Sequence, residues 1–174
     1  AGLPVTASPY PITVGGGGAG TSSTAAGSKG VNSTFSTITS AGGGGGGGYQ
    51  VPEGQACRPI AVLQGGSGGG GGTYQNSPGQ SGSGTGNQPP VSPPQGNDGG
   101  PGQAPGPSFV GSGGGGGATG YNGSSYGTNR GGGSGVVIIK MPDGVSCNVG
   151  AGLTSSTSGQ VVTFTAGTGT ITFS

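Results

Sequence analysis

Side chains able to do acid–base or ligand chemistry are few in this sequence and far apart. Histidine is missing, which removes the usual general base near neutral pH and the commonest transition-metal ligand. The three carboxylates are Glu53, Asp98 and Asp143, each followed by glycine in a turn or loop, and nothing pairs them for proton transfer. Lys29 and Lys140 are not preceded by a phosphate-loop pattern. Matches to G-x-G-x-x-G arise only because glycine is everywhere, and no helix follows them. Two cysteines, Cys57 and Cys147, allow one pairing, a candidate structural disulfide. Closing a loop of about 90 residues, such a bridge contributes roughly 4–5 kcal/mol in the chain-entropy picture and implies an oxidising environment. The alternative is two reduced cysteines serving as small hydrophobes. The expectation is a protein without catalytic residues, metal site or cofactor, and not an enzyme.

Binding chemistry is better represented. Tyr49, Tyr74, Tyr121 and Tyr126, with Asn122 beside the third, sit among Asn, Gln and Ser at or between the ends of glycine runs. Aromatic rings with polar neighbours can stack on sugar rings while the amides and hydroxyls bond the sugar hydroxyls. These five are the candidate receptor-binding residues. Equally open is a structural role, in which the rings cap the glycine runs and shield them from water. Asn32-Ser33-Thr34 and Asn122-Gly123-Ser124 fit the glycosylation sequon, a pattern common by chance.

The elements that must position these residues are dominated by glycine, 51 of 174 residues. Ala41 is followed by seven glycines, and Gly15–Gly20, Gly65–Gly72 and Gly111–Gly117 echo that run. A glycine run has no side chain to bury, so whatever orders it must use backbone N–H and C=O groups. Glycine suits neither helix nor ordinary strand, but a bare backbone fits an extended threefold helix of the polyproline II type. Such helices do not bond internally. They can bond to one another, because without Cβ atoms their axes approach closely. At about 3.1 Å per residue, seven glycines span roughly 22 Å, one layer of a small domain. Composition alone fits flexible linkers as well. For an ordered chain, lateral bonding between runs is what must offset the backbone entropy.

Short β segments punctuate the runs. Tyr10–Val14 reads as a strand start or edge because of Pro11. Thr34–Thr39 mixes β-branched and aromatic residues with hydroxyls, without a pattern that says which face is inside. Pro59–Leu63 is the most apolar segment of the first half. Residues 74–108 are rich in Pro, Gly, Gln and Ser, with Pro89-Pro90 and Pro93-Pro94 as stiff extended pieces. Gly135–Met141 is the strongest strand candidate, expected to be buried on both sides. Gly159–Thr165 and Thr168–Phe173 form a hairpin about Ala166-Gly167. The predicted fold class is irregular/all-β, a bundle of packed polyglycine-II helices flanked by short strands, with almost no α-helix. Residues 1–140 form the glycine-rich domain with a proline-rich insertion at 75–108, and 141–174 a small C-terminal β-hairpin segment.

Composition narrows the partners. Hydrophobic residues make up only 26%, which excludes a large oily core. Four basic against three acidic residues argue against nucleic acid and against a polybasic membrane contact. No apolar run approaches the roughly 20 residues that span a bilayer, so no membrane insertion is expected. A start on Ala1 without a signal-peptide pattern suggests a processed product or part of something longer.

Three blocks occur in order: Tyr10–Val14 running into Gly15–Gly20, Asn32–Ser40 running into Ala41 and its glycines, and Gly133-Ser134-Gly135-Val136-Val137-Ile138-Ile139-Lys140. They resemble the glycine-rich modules of tailed-phage tail fibres and adhesins, and the similarity covers most of residues 10–140. The resemblance implies a polyglycine-II bundle displaying loops for attachment to a host surface. The chain departs from that pattern in lacking a long apolar strand before its first run, in its proline-rich middle and in its β tail after Lys140.

The leading expectation is thus a virion or extracellular attachment protein, presenting Thr21–Gly30, Tyr74–Gln88 and Gly120–Arg130 to a host cell-surface glycan or protein. It would join other virion subunits or copies of itself as a homo-oligomer. The alternative is a structural subunit of a filament, or a capsid decoration protein, associating through glycine runs and strand edges. Ice binding by flat Gly, Thr and Ala faces is a third class.

Overall fold

The computed structural model describes residues 6–20, 25–48, 60–72, 83–101, 111–112, 123–124 and 135–174. The chain divides into two compact units. One comprises Ala1–Gly16, Asn32–Ser40 and Ser134–Ser174, the other Gly17–Val31 and Ala41–Gly133. Residues 140 and 141 both belong to the first unit.

The first unit is an antiparallel sheet built on one long strand. In chain order its strands are β1 (Pro9–Thr13), β2 (Ser33–Phe35), β3 (Ile38–Ser40), β6 (Val137–Lys140), β7 (Cys147–Val149), β8 (Leu153–Ser158) and β9 (Val161–Phe173); β4 and β5 belong to the second unit. The sheet order is β3-β2-β1-β9-β6, with β7 and β8 also paired to β9. β9 therefore carries four neighbours along its 13 residues.

The expected hairpin turn at Ala166-Gly167 lies inside β9. The chain reverses earlier, at Gly159-Gln160, because Leu153–Ser158 supplies a partner for the start of β9. Gly167 instead takes φ +100, and the β8 register skips from Ser155↔Phe164 to Thr154↔Ala166, leaving Thr165 as a bulge. The bulge has a packing consequence. Val162 and Phe164 are buried, and so are Ile171 and Phe173, although positions 164 and 171 differ by an odd number. One extra residue flips the alternation, so both halves of β9 send apolar side chains to the same core. Ile12, Val14 and Met141 complete that cluster, with Tyr10, Phe35, Val137, Ile139, Val145, Cys147, Val149 and Leu153 packed against it.

Two other sequence expectations change here. β1 is not an edge, since it pairs with β2 on one side and β9 on the other. Pro11 is tolerated because its N and C=O face the β2 side. There the β2 ladder reaches only Phe35, opposite Ile12, and the Pro11 carbonyl accepts from Ser36 N at 2.9 Å. No donor is lost toward β9. The 136–141 segment is not buried on both sides either. Val137 and Ile139 face the core, while Val136 and Ile138 are 52% and 62% exposed. A strand lined on one face only buries alternate residues.

Thr34–Thr39 folds as the β2–β3 hairpin, with Phe35 paired to Ile38 and Ser36 at φ 52 in the two-residue turn. Left-handed backbone costs a non-glycine residue roughly 1–2 kcal/mol. Ser36→Gly is expected to raise the stability of the first unit by up to about 1 kcal/mol in equilibrium unfolding, part of the strain relief being returned as unfolded-state entropy.

The second unit has almost no regular secondary structure. A single turn of helix, α1 (Ile60–Leu63), and the two-residue antiparallel pair β4 (Gly111–Ser112) and β5 (Gly123–Ser124) are its regular elements among the described residues. Its glycine segments form neither strand nor helix, yet they are tied to one another by backbone hydrogen bonds three residues apart. Gly44 N and Gly47 N donate to Ser67 O and Gly70 O, both at 2.8 Å. Gly68 N and Gly71 N donate to Asn97 O and Gly100 O at 2.9 Å. Gly27 N and Gly30 N donate to Gly46 O and Gly43 O, also at 2.9 Å, this time with the segments antiparallel. Neighbouring amides turn elsewhere, as Gly45 N to Val62 O at 2.7 Å. Each segment thus bonds different neighbours with successive residues.

Side chains contribute little to this packing. Leu63 is the large apolar side chain fully buried in the second unit among the described residues. Elsewhere backbone meets backbone: a Cβ on Gly44 would overlap the Leu63 carbonyl, one on Gly69 the Gly45 carbonyl, and one on Gly99 the Gly69 carbonyl. Leu63→Ala is expected to cost about 2–5 kcal/mol, because the surrounding backbone has little freedom to collapse into the space. Loss of amide protection along 65–72 in hydrogen exchange would report it.

Candidate functional site

Tyr49, Tyr74, Tyr121, Asn122 and Tyr126, the candidate receptor-binding residues, lie outside the described residues, as does Cys57. Of the expected presenting loops, Thr21–Gly30 is described from Ala25 onward. The backbone of that part is tied down, with Gly27, Ser28 and Gly30 donating to Gly46, Ala19 and Gly43, while Ala25, Ser28 and Lys29 are exposed.

Cys147 carries a free thiol, half-buried on β7. Burial pushes its pKa up, so it is a weaker nucleophile than an ordinary cysteine. In a Cys57→Ser background, iodoacetamide at pH 8 should label Cys147 more slowly in the folded chain than in denaturant. Raising the pH should close that gap.

Tyr10 is the described tyrosine. Its ring lies 5.6 Å from Phe173 and 5.9 Å from Phe35. Its hydroxyl accepts from Thr6 N at 2.7 Å and lies 3.3 Å from Thr6 Oγ1. Those hydrogen bonds favour the phenolate and lower its pKa. Tyr10 is thus a half-buried ring held at the rim of the core, its hydroxyl tied to Thr6.

The best-defined exposed feature of the second unit is the loop from Gly86 to Asp98. At its base Gly99 N donates to Gly84 O at 2.8 Å, and Gly86 N to Asp98 Oδ1 at 2.8 Å. Asn87 closes the loop from within. It adopts φ 51, a conformation asparagine tolerates better than most residues. Its Oδ1 accepts from Val91 N at 3.1 Å and Gln95 N at 3.2 Å, while its Nδ2 donates to Val91 O at 3.0 Å. Backbone bonds from Asn87 N to Gly66 O, 2.8 Å, and from Gln88 N to Gly65 O, 3.0 Å, seat the loop on the glycine segments. Gln95 Oε1 accepts from Ala41 N on another segment.

Pro89-Pro90 and Pro93-Pro94 are therefore not extended pieces. A single asparagine gathers them into a closed loop, with bends at 86–89 and 92–93 and cis peptides before Pro89 and Pro93. All six residues Pro89–Pro94 are exposed. The sequence carried a signal for this loop in Asn87, a residue suited to left-handed backbone and to bonding its neighbours' amides, eight residues before Gln95.

A second exposed feature belongs to the first unit. The outer face of β9 carries Thr163, Thr165, Thr168, Thr170 and Thr172, with Thr13 opposite Thr168, Asn148 opposite Thr172 and Ser156 opposite Thr163. Beside it, β8 is an edge strand whose residues Thr154–Ser158 are all exposed, without charge or proline.

Among the described residues, no group of His, Cys, Asp and Glu could hold a metal ion. No helix among them is long and apolar enough to cross a membrane. Comparison with protein-family models, with curated proteins and with solved structures finds no match to this chain.

Proposed function

We propose that this chain is a non-enzymatic virion protein of the tail-fibre adhesin type, in which a bundle of polyglycine-II helices presents loops to a host cell surface. The observation that carries the reading is the three-residue repeat of hydrogen bonds between glycine segments whose neighbours leave no room for a Cβ at positions such as Gly44, Gly47, Gly68 and Gly69. A threefold helix turns equivalent groups to the same neighbour every third residue, as Gly44 and Gly47 do toward Ser67 and Gly70. Such a scaffold has few side chains inside, so the side chains able to recognise a partner lie in the loops between rods. A rigid scaffold holding variable loops is a common arrangement for recognition. The resemblance in the three ordered sequence blocks supports the virion assignment, and the ligand is a host-surface glycan or protein.

Host-adsorption and glycan-array assays test it. Binding by the full chain should change when 74–88, 89–94 and 120–130 are replaced by Gly-Ser segments of equal length. Unaltered binding after all three replacements removes the adhesin reading.

The β8 edge favours a second reading, a structural subunit that self-associates. An uncharged edge lacks the usual protection against pairing with another chain. Ser156→Lys should then abolish assemblies seen by electron microscopy of the purified protein, and a monomer at high concentration would count against the filament.

A further inference from the structure

We propose that the first unit is a self-standing platform and that the whole glycine unit is an insert carried through one port in it, so that rods and loops can be lengthened or exchanged without disturbing the sheet. The inference goes beyond the attachment reading and holds whatever the loops bind.

The chain passes between the units four times, at 16/17, 31/32, 40/41 and 133/134. On the sheet side these passages leave from one place. Gly15, Ser33, Ser40 and Gly135 each stand at a passage or one residue from it, and all four are tied together. Gly15 N donates to Ser33 Oγ at 3.0 Å, Gly135 N donates to Gly15 O at 2.8 Å, and Ser33 lies opposite Ser40 in the β2–β3 ladder. Ser33 is buried, and a Cβ on Gly135 would overlap its hydroxyl, so the port is closed by one small side chain against bare backbone. Gly16, Asn32 and Ser40, where the chain leaves, are exposed. Exposed chain ends that lie close together are what lets a domain accept an insertion. The entropy of closing such an excursion grows only with the logarithm of its length, so a longer insert adds little cost to the platform. Each unit also has its own means of cohesion. The apolar cluster from Ile12 to Phe173 belongs wholly to the first unit, whereas the bonds between glycine segments have both partners in the second. Loosening the backbone packing of the insert therefore takes nothing from the core of the platform.

The test is amide hydrogen exchange of the full chain, followed by NMR. In Gly44→Ala the Gly44, Gly45 and Gly47 amides should exchange many-fold faster, while the Ile171 amide keeps its protection and the Tyr10 and Phe173 rings stay in contact. Ser33→Ala removes the acceptor for Gly15 N, and Gly135→Ala pushes a methyl against the Ser33 hydroxyl. Both should speed exchange at Gly15 and Gly135 and leave Gly44 to Gly47 as in the parent. An Ile171 amide that loosens in step with Gly44 in the first variant overturns the platform. Port variants that unprotect Gly44 to Gly47, or that leave Gly15 as slow as before, overturn the single port. Should Gly44→Ala leave its own unit packed, urea applied to the parent chain decides: the glycine amides and the Ile171 amide should lose protection at different midpoints, and a shared midpoint overturns the proposal. A shared midpoint together with loop-dependent host adsorption would remove the platform and leave the attachment reading standing.

Discussion

Gly44→Ala should destabilise the second unit by about 3 kcal/mol or more, whereas Gly46→Ala, two residues along the same run, should be neutral or slightly stabilising. The added methyl at position 44 would overlap the Leu63 carbonyl and crowd Gly69 N, both of them backbone atoms. Overpacking usually costs 1–3 kcal/mol, and the upper end applies where no flexible side chain can give way. At position 46 nothing lies within 4 Å of the ideal Cβ. There the methyl only removes freedom from the unfolded chain, an effect of roughly 0.4–1 kcal/mol in favour of folding. Gly69→Ala, against the Gly45 carbonyl, should behave like the position 44 variant. Hydrogen exchange of the Gly44, Gly45 and Gly47 amides is the direct readout, since each donates to a neighbouring segment. A flexible linker would show no difference between the two alanines, so equal protection in both would remove the packed-rod account.

Phe164→Ala should cost the first unit about 3–5 kcal/mol, the usual range for emptying a fully buried phenylalanine site. Loss of the near-ultraviolet circular dichroism signal at a lower denaturant concentration than in the parent would report it. Deleting Thr165, by contrast, should keep the facing of β9, because that residue is the extra one of the bulge. Thr165 and Ala166 are both exposed, so removing one of them leaves Phe164 and Ile171 an even number of positions apart, on the same face of a regular strand. The β1 ladder from Pro9↔Thr172 to Thr13↔Thr168 can then persist. The contact between the Tyr10 and Phe173 rings, measured by NMR, should survive both the deletion and Thr165→Ser. A deletion chain that loses that contact and the protection of the Ile171 amide would show that the residue count through the bulge does not set the facing of the strand.

Much of the β architecture was legible in advance because it rests on local rules. β-branched and aromatic clusters marked β1, β2, β6 and β9, and the missing 3.6-residue period foretold how little helix there is. Where the reading went astray, a specific pairing partner overrode the local signal. Ala166-Gly167 carries turn chemistry, yet Leu153–Ser158 claims the strand opposite and converts the turn into a bulge. Pro11 carries an edge signal, yet its bare nitrogen falls just past the end of the β2 ladder, so an interior place costs it nothing. The proline pairs looked stiff and extended, but Asn87 reaches four and eight residues ahead to close them into a loop.

By itself the sequence determined that oil could hold only a small part of this chain: its glycine runs have no side chains to bury, and its apolar residues suffice for one small core. Only the tertiary structure decided which glycine meets which carbonyl, which face of β9 is inside and where the exposed loop sits. Identical residues carry no register of their own. The alignment of the runs is fixed by distinctive neighbours such as Leu63, Asn87 and Gln95, whose partners are separated from them along the chain.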